Sequence, residues 1–167
     1  MDFRLFLSLL STTAIVTGAV FAAVQLNQFK RQRARDSALQ LLHSFRTPEF
    51  LSAVNIVFDL PEGLSRAEIE AHLGDKLPSI FVLFGTFESL GVLIFRREIE
   101  IQLVEDFVSG IIILSGKKLK RYLEEMRASS GRDTYYEWFQ WLFEQMEKRE
   151  SKIPPIPAYI AHRDWKA

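Results

Sequence analysis

The sequence predicts an all-α protein in which a single N-terminal transmembrane helix continues into a compact multi-helix cytoplasmic domain. Three observations carry this expectation. The stretch Leu5 to Leu26 is 22 residues long and uncharged, and at 1.5 Å rise per residue roughly 20 apolar residues match the roughly 30 Å of bilayer hydrocarbon. From Gln25 to Phe45 neither Gly nor Pro interrupts a run rich in Ala, Leu, Gln and Arg, all good helix formers. Beyond Phe45, helix-start signals recur ahead of apolar residues at helical spacing, and the strand-like run Ile111 to Leu114 finds no partner strand.

Charge orients the anchor. The chain balances 21 basic against 21 acidic residues, but unevenly: Lys30 to Arg46 holds five basic residues against Asp36 alone. Lys30, Arg31, Arg33 and Arg35 follow the span directly, whereas Arg4 beside Asp2 precedes it. Basic residues flanking a span stay cytoplasmic, so the expected topology is N-terminus outside, domain inside, in the inner (cell) membrane. The same cluster meets the lipid headgroups and attracts anionic lipid by about 1 kcal/mol per charge. A cleaved signal peptide fits less well, because the apolar run outlasts a signal h-region and the basic cluster opposes translocation. The absence of cysteine agrees with a reducing compartment. Residues 1–28 form the predicted anchor, 29–152 the helical domain and 153–167 a Pro-rich extended tail.

Taken in order, one helix is expected to run from the membrane through Phe45, coupling anchor and domain. Thr47-Pro48-Glu49 then starts a helix with cap, Pro at the first position and an acid at the dipole, burying Phe50, Leu51, Val54, Val57 and Phe58. Ser65 and Glu68 match a capping box, and Gly74 closes that short helix. Leu77 to Phe95 holds Glu88 as its one charge among 19 residues. A charge near the centre of a span costs roughly 3 kcal/mol on the insertion scale, so this stretch is read as a central core helix ahead of a second crossing. Gly85 and Gly91 are expected to admit close neighbours. Ile99 to Phe107 reads as a short helix with Leu103, Val104 and Phe107 inward, broken at Ser109-Gly110, and Ile111 to Ala128 as the next. Thr134 and Glu137 match another capping box ahead of a helix with Tyr135, Trp138, Phe139, Leu142 and Met146 on one face. Pro154, Pro155 and Pro157 exclude helix from the start of the tail.

Catalytic chemistry is not found. Five residues separate Gly110 from Gly116-Lys117, and Lys118 replaces the hydroxyl a phosphate loop needs. His43, His72 and His162 lack metal-ligand spacing, thiolate-held clusters are excluded, and no serine sits in a nucleophile elbow. No cofactor is expected. Glu88 is the candidate buried acid, in need of a partner because a lone buried carboxylate is costly. The candidate interface residues are Tyr136, Trp141 and Phe143, which cannot all share the core face, the basic turn Lys117, Lys118, Lys120 and Arg121, and Tyr159 and Trp165 in the apolar tail. No nucleic-acid partner is expected for a domain that is not basic and does not interleave aromatics with its charges.

Phe87-Glu88-Ser89-Leu90-Gly91-Val92-Leu93 and Glu137-Trp138-Phe139-Gln140-Trp141-Leu142, together with Arg31 to Asp36 after a single span, resemble an uncharacterised bacterial family of single-pass membrane proteins. The resemblance covers roughly residues 25–145. It implies a helical cytoplasmic domain of unknown function and carries no catalytic residues across. The expected role is therefore a non-enzymatic accessory or scaffolding subunit, with the lipid bilayer and other membrane protein subunits as partners. A respiratory or photosynthetic assembly is one such host. The alternatives are a membrane-linked sensor binding a small ligand near Glu88 and, last, an enzyme of unfamiliar type.

Overall fold

A computed structural model describes residues 3–152 and 156–166. Within its first helix, side chains are described only at residues 13, 15–29, 32, 33, 36, 39, 43 and 45. Among the described residues the chain is all-helical: α1 (Phe3–Phe45), α2 (Pro48–Asp59), α3 (Arg66–Leu73), a 3-10 turn (Gly74–Lys76), α4 (Pro78–Phe95), α5 (Ile101–Ser130), α6 (Glu137–Lys152) and α7 (Ala158–Ala161). The chain divides into two units, Met1–Leu41 and Leu42–Ala167.

The first unit is helical throughout its described part, and α1 runs unbroken to Phe45. Its apolar stretch Ile15–Phe29 exposes Ile15, Val16, Val20, Phe21, Val24, Leu26 and Phe29. Residues 5–12 and 14 of the sequence-predicted span lie outside the described side chains, as do Lys30, Arg31 and Arg35; Arg33 is exposed.

In the second unit, α4 packs between α2 and α6, while α5 packs on α6, α2 and α3. Local signals set the early boundaries. The Thr47 hydroxyl accepts from the Phe50 N–H at 3.2 Å with Pro48 at the first helical position. Ser65 and Glu68 complete a reciprocal capping box, and Gly74, at φ 48, ends α3 with its N–H on the Glu70 carbonyl.

The core is aromatic. Phe50, Phe84, Phe87 and Phe139 are fully buried, each contributing about 1.5–3 kcal/mol relative to exposure. Phe45 joins Phe50 at 5.0 Å between ring centroids, and Phe50 meets Phe87 edge-on at 5.9 Å. Among the described residues α4 is the one helix long and apolar enough to cross a membrane; here its Ile80, Leu83, Phe84, Phe87, Leu90, Gly91 and Ile94 are buried in the helical packing. A Cβ at Gly91 would lie 2.5 Å from the Trp138 carbonyl oxygen, so only glycine permits this approach of α4 to α6. The second expected close approach, at Gly85, does not occur: a Cβ there meets nothing within 4 Å.

Four expectations are corrected. Ser109-Gly110 does not break a helix; α5 runs 30 residues without interruption. An internal Gly costs only about 1 kcal/mol against Ala, and buried Val104, Val108, Ile112, Ile113 and Leu119 on both sides of Gly110 outweigh that. Leu51, Phe58 and Phe107 were expected inside and are exposed, while Ala53 and Val108 are buried in their helices. The tail is not wholly extended, since Ala158–Ala161 forms a helical turn after Pro157; residues 153–155 lie outside the described residues. Lys118 is no surface residue. It is 9% exposed, and its ammonium donates to the Phe58 and Leu60 carbonyls at the end of α2. A cation is favoured at a helix C-terminus, where carbonyls lack partners.

Two substitutions test this packing. Gly91→Ala should destabilise the domain by about 1–3 kcal/mol, the cost of overpacking against backbone, read from chemical denaturation. Lys118→Met keeps the alkyl volume but strands two carbonyls, and should cost about 1–3 kcal/mol by the same measurement.

Candidate interaction surface

The surface is built around the start of α6. Gly131, in the left-handed region at φ 65, ends α5, and a turn leads to Tyr136, itself left-handed at φ 51. A residue so placed cannot sit inside a helix, so α6 begins at Glu137 and Thr134 is too far upstream to cap it. The expected Thr134–Glu137 capping box is therefore absent. Two groups from other helices shape this start instead, Arg127 holding the turn and Glu88 supplying the cap. The Arg127 guanidinium donates to the Tyr135 carbonyl at 2.8 Å, the Tyr136 carbonyl at 3.1 Å and the Gln140 side chain. Glu88, from the middle of α4, accepts the Phe139 N–H at 2.9 Å, and the Trp138 N–H also bonds to it. Glu88 thus serves as the cap of a helix that starts 49 positions later.

Burial raises the Glu88 carboxyl pKa above its ordinary value, chiefly by desolvation, while the two backbone hydrogen bonds pull it down. Desolvation also raises the Tyr136 phenol, with the Glu88 charge adding to it. The Glu88 carboxylate is engaged structurally by the α6 amides.

This start sets the rotation of α6. Phe139, Leu142, Phe143 and Met146 turn inward, with Phe139 stacked on Phe87 at 5.4 Å and Tyr136 against Phe84 at 4.8 Å. Trp138 and Trp141 turn the other way, half-buried. They meet Phe95 at 4.7 and 6.1 Å and each other at 6.0 Å, and Phe95 is 59% exposed. The result is a surface triad from two helices, Phe95, Trp138 and Trp141, beside exposed Arg96 and Arg97.

The candidate interface of the sequence is thereby redistributed. Trp141 lies in the triad. Phe143 is a core residue, its ring filling the space that Gly116 leaves by lacking a Cβ. Tyr136 is half-buried. Trp138, expected inside, and Phe95, not singled out, complete the surface; a triad drawn from two helices has no signature along either one. The basic turn disperses: Lys117 is exposed, Lys120 faces Glu124 at 4.0 Å, and Arg121 bonds Glu125 at 2.8 Å and the Gly63 carbonyl at 3.0 Å. Tyr159 and Trp165 are both exposed in the tail. Among the described residues no group of three or more His, Cys, Asp or Glu is placed to hold a metal.

Glu88 gives a clear test of sign. Its folded pKa is raised, so the folded state holds this proton more tightly than the unfolded chain does. The ionised group therefore destabilises the fold increasingly as pH rises from the ordinary carboxylate value, 4.5, through the raised one. Glu88→Gln keeps an acceptor for the Phe139 N–H without the desolvated charge. It should match or exceed wild-type stability at neutral pH and lose that advantage toward acid, whereas Glu88→Ala should cost about 0.5–2 kcal/mol as a lost cap. Thermal melts of the three proteins across pH read both effects.

A family model described as a domain of unknown function (DUF4760) matches residues 12–146. No curated protein and no solved structure matches the chain.

Proposed function

The chain belongs to that family of unknown function, and we propose that it acts as a non-enzymatic accessory subunit, anchored in a bacterial inner membrane by a single N-terminal span and docking on a larger membrane protein complex. The observation that carries the reading is the outward triad Phe95, Trp138 and Trp141. Trp is enriched in interface hot spots, and an exposed Phe beside two half-buried Trp rings is a surface a partner can cover. The anchor rests on the uncharged run Leu5 to Leu26 and on the exposed apolar side chains of Ile15–Phe29. The N-out, domain-in topology rests on Lys30, Arg31, Arg33 and Arg35. A sensor working through Glu88 has less support, because that carboxylate is already bonded to two α6 amides.

The test is gentle detergent extraction from native membranes, then native electrophoresis and identification of what co-migrates. Wild type should run in a larger assembly. Phe95→Ser with Trp141→Ala should weaken that association by about thirtyfold or more, the loss of one hot spot, while leaving helicity unchanged. A wild-type chain that disperses as a monomer overturns the proposal.

A further inference from the structure

A second feature lies at the α4–α5 junction and reaches beyond the docking surface. The end of α4 is closed by a Schellman arrangement: the Arg97 N–H donates to the Ile94 carbonyl and the Glu98 N–H to the Leu93 carbonyl, both at 2.9 Å. The left-handed position of such a cap normally belongs to Gly, because a Cβ there is strained. Here it is Arg97, at φ 59. An unfavourable side chain kept where glycine would be easier directs attention to what that side chain serves.

Arg97 lines a cleft of about 610 Å³, inside the usual ligand-pocket range of roughly 300–1,000 Å³. Half-buried Ile101 and the outer edges of the otherwise buried Ile94 and Ile99 give it an apolar wall. Its polar end holds Arg97, Gln102 and Arg149. Arg149 is ion-paired with Glu105 through its Nε at 2.6 Å and its Nη2 at 2.5 Å, and Nη2 also donates to the Gln102 oxygen at 2.8 Å, which leaves its Nη1 hydrogens outside those bonds. Glu100 also borders the cleft, as the N-cap residue ahead of α5, and its side chain makes no capping bond. The amides opening this 30-residue helix therefore add positive potential at the same end.

We propose that this cleft binds an anionic amphiphile, an acyl chain lying on the isoleucines with a carboxylate or phosphate head held by Arg97 and steadied by Arg149. Guanidinium suits both heads, because its planar donors match their paired oxygens. The cleft borders the Phe95–Trp138–Trp141 triad but shares no residue with it, and its labelling readout is distinct from co-migration with a larger assembly. The head can come from a free fatty acid or from an acidic bilayer lipid.

The test is photolabelling of the full-length chain in phosphatidylcholine nanodiscs, followed by peptide mapping. Three probes are compared: a diazirine fatty acid, a diazirine phosphatidic acid and a neutral diazirine monoacylglycerol. At least one acidic probe should label residues 94–102 well above the neutral one. The fatty acid alone identifies a free amphiphile as the source, and the phosphatidic acid alone identifies bilayer lipid. Arg97→Gly should reduce the labelling by about tenfold, the loss of one charge-assisted hydrogen bond, yet melt no lower than wild type because glycine suits the cap. Equal labelling by the neutral probe, or undiminished labelling of Arg97→Gly, overturns the proposal.

Discussion

The contact between α4 and α6 rests on two residues one helical turn apart. Gly91 lets the α6 backbone come within reach, at a distance a single methyl would forbid. Glu88 then supplies the acceptor that the first amides of α6 lack. Together they fix where α6 starts and how it is rotated. That rotation sends Phe139, Leu142, Phe143 and Met146 into the core and leaves Trp138 and Trp141 outward against Phe95. The candidate surface follows from the crossing as much as from the tryptophans themselves.

A common electrostatic logic runs through the domain. Glu88 places negative charge at the N-terminus of α6, and Lys118 places positive charge at the C-terminus of α2. Each answers the partial charge that a helix end carries, and each comes from the interior of a different helix. Lys118 is buried and Glu88 half-buried, where an unmet charge would be expensive. Bonding to backbone groups that themselves need partners offsets that expense, though for Glu88 the desolvation still outweighs the hydrogen bonds. Elsewhere, ion pairs such as Arg66–Glu70 and Arg121–Glu125 are half-exposed and contribute little to stability.

Helix ends also divide the features aimed at structure from those open to function. Gly74 and Gly131 take left-handed turns at no steric cost. Arg97 and Tyr136 take similar turns with full side chains. Tyr136 has a structural return, since its ring packs on Phe84 and its carbonyl accepts from Arg127. Arg97 is exposed and borders an open cleft.

Chemistry between near neighbours along the chain suffices for the all-helical class, the uninterrupted α1 and the caps at Thr47, Ser65–Glu68 and Gly74, because there donor and acceptor lie within four residues. It also shows that Glu88 needs a partner, without showing which. Other features depend on groups brought together only by folding. Lys118 meets carbonyls 58 and 60 positions away, and Glu88 meets an amide 51 positions away. The continuity of α5 through Gly110 and the inward turn of Phe143 were likewise settled by the neighbouring helices. Periodicity along one helix identifies an apolar face, but cannot say which edge of that face the neighbouring helices will cover.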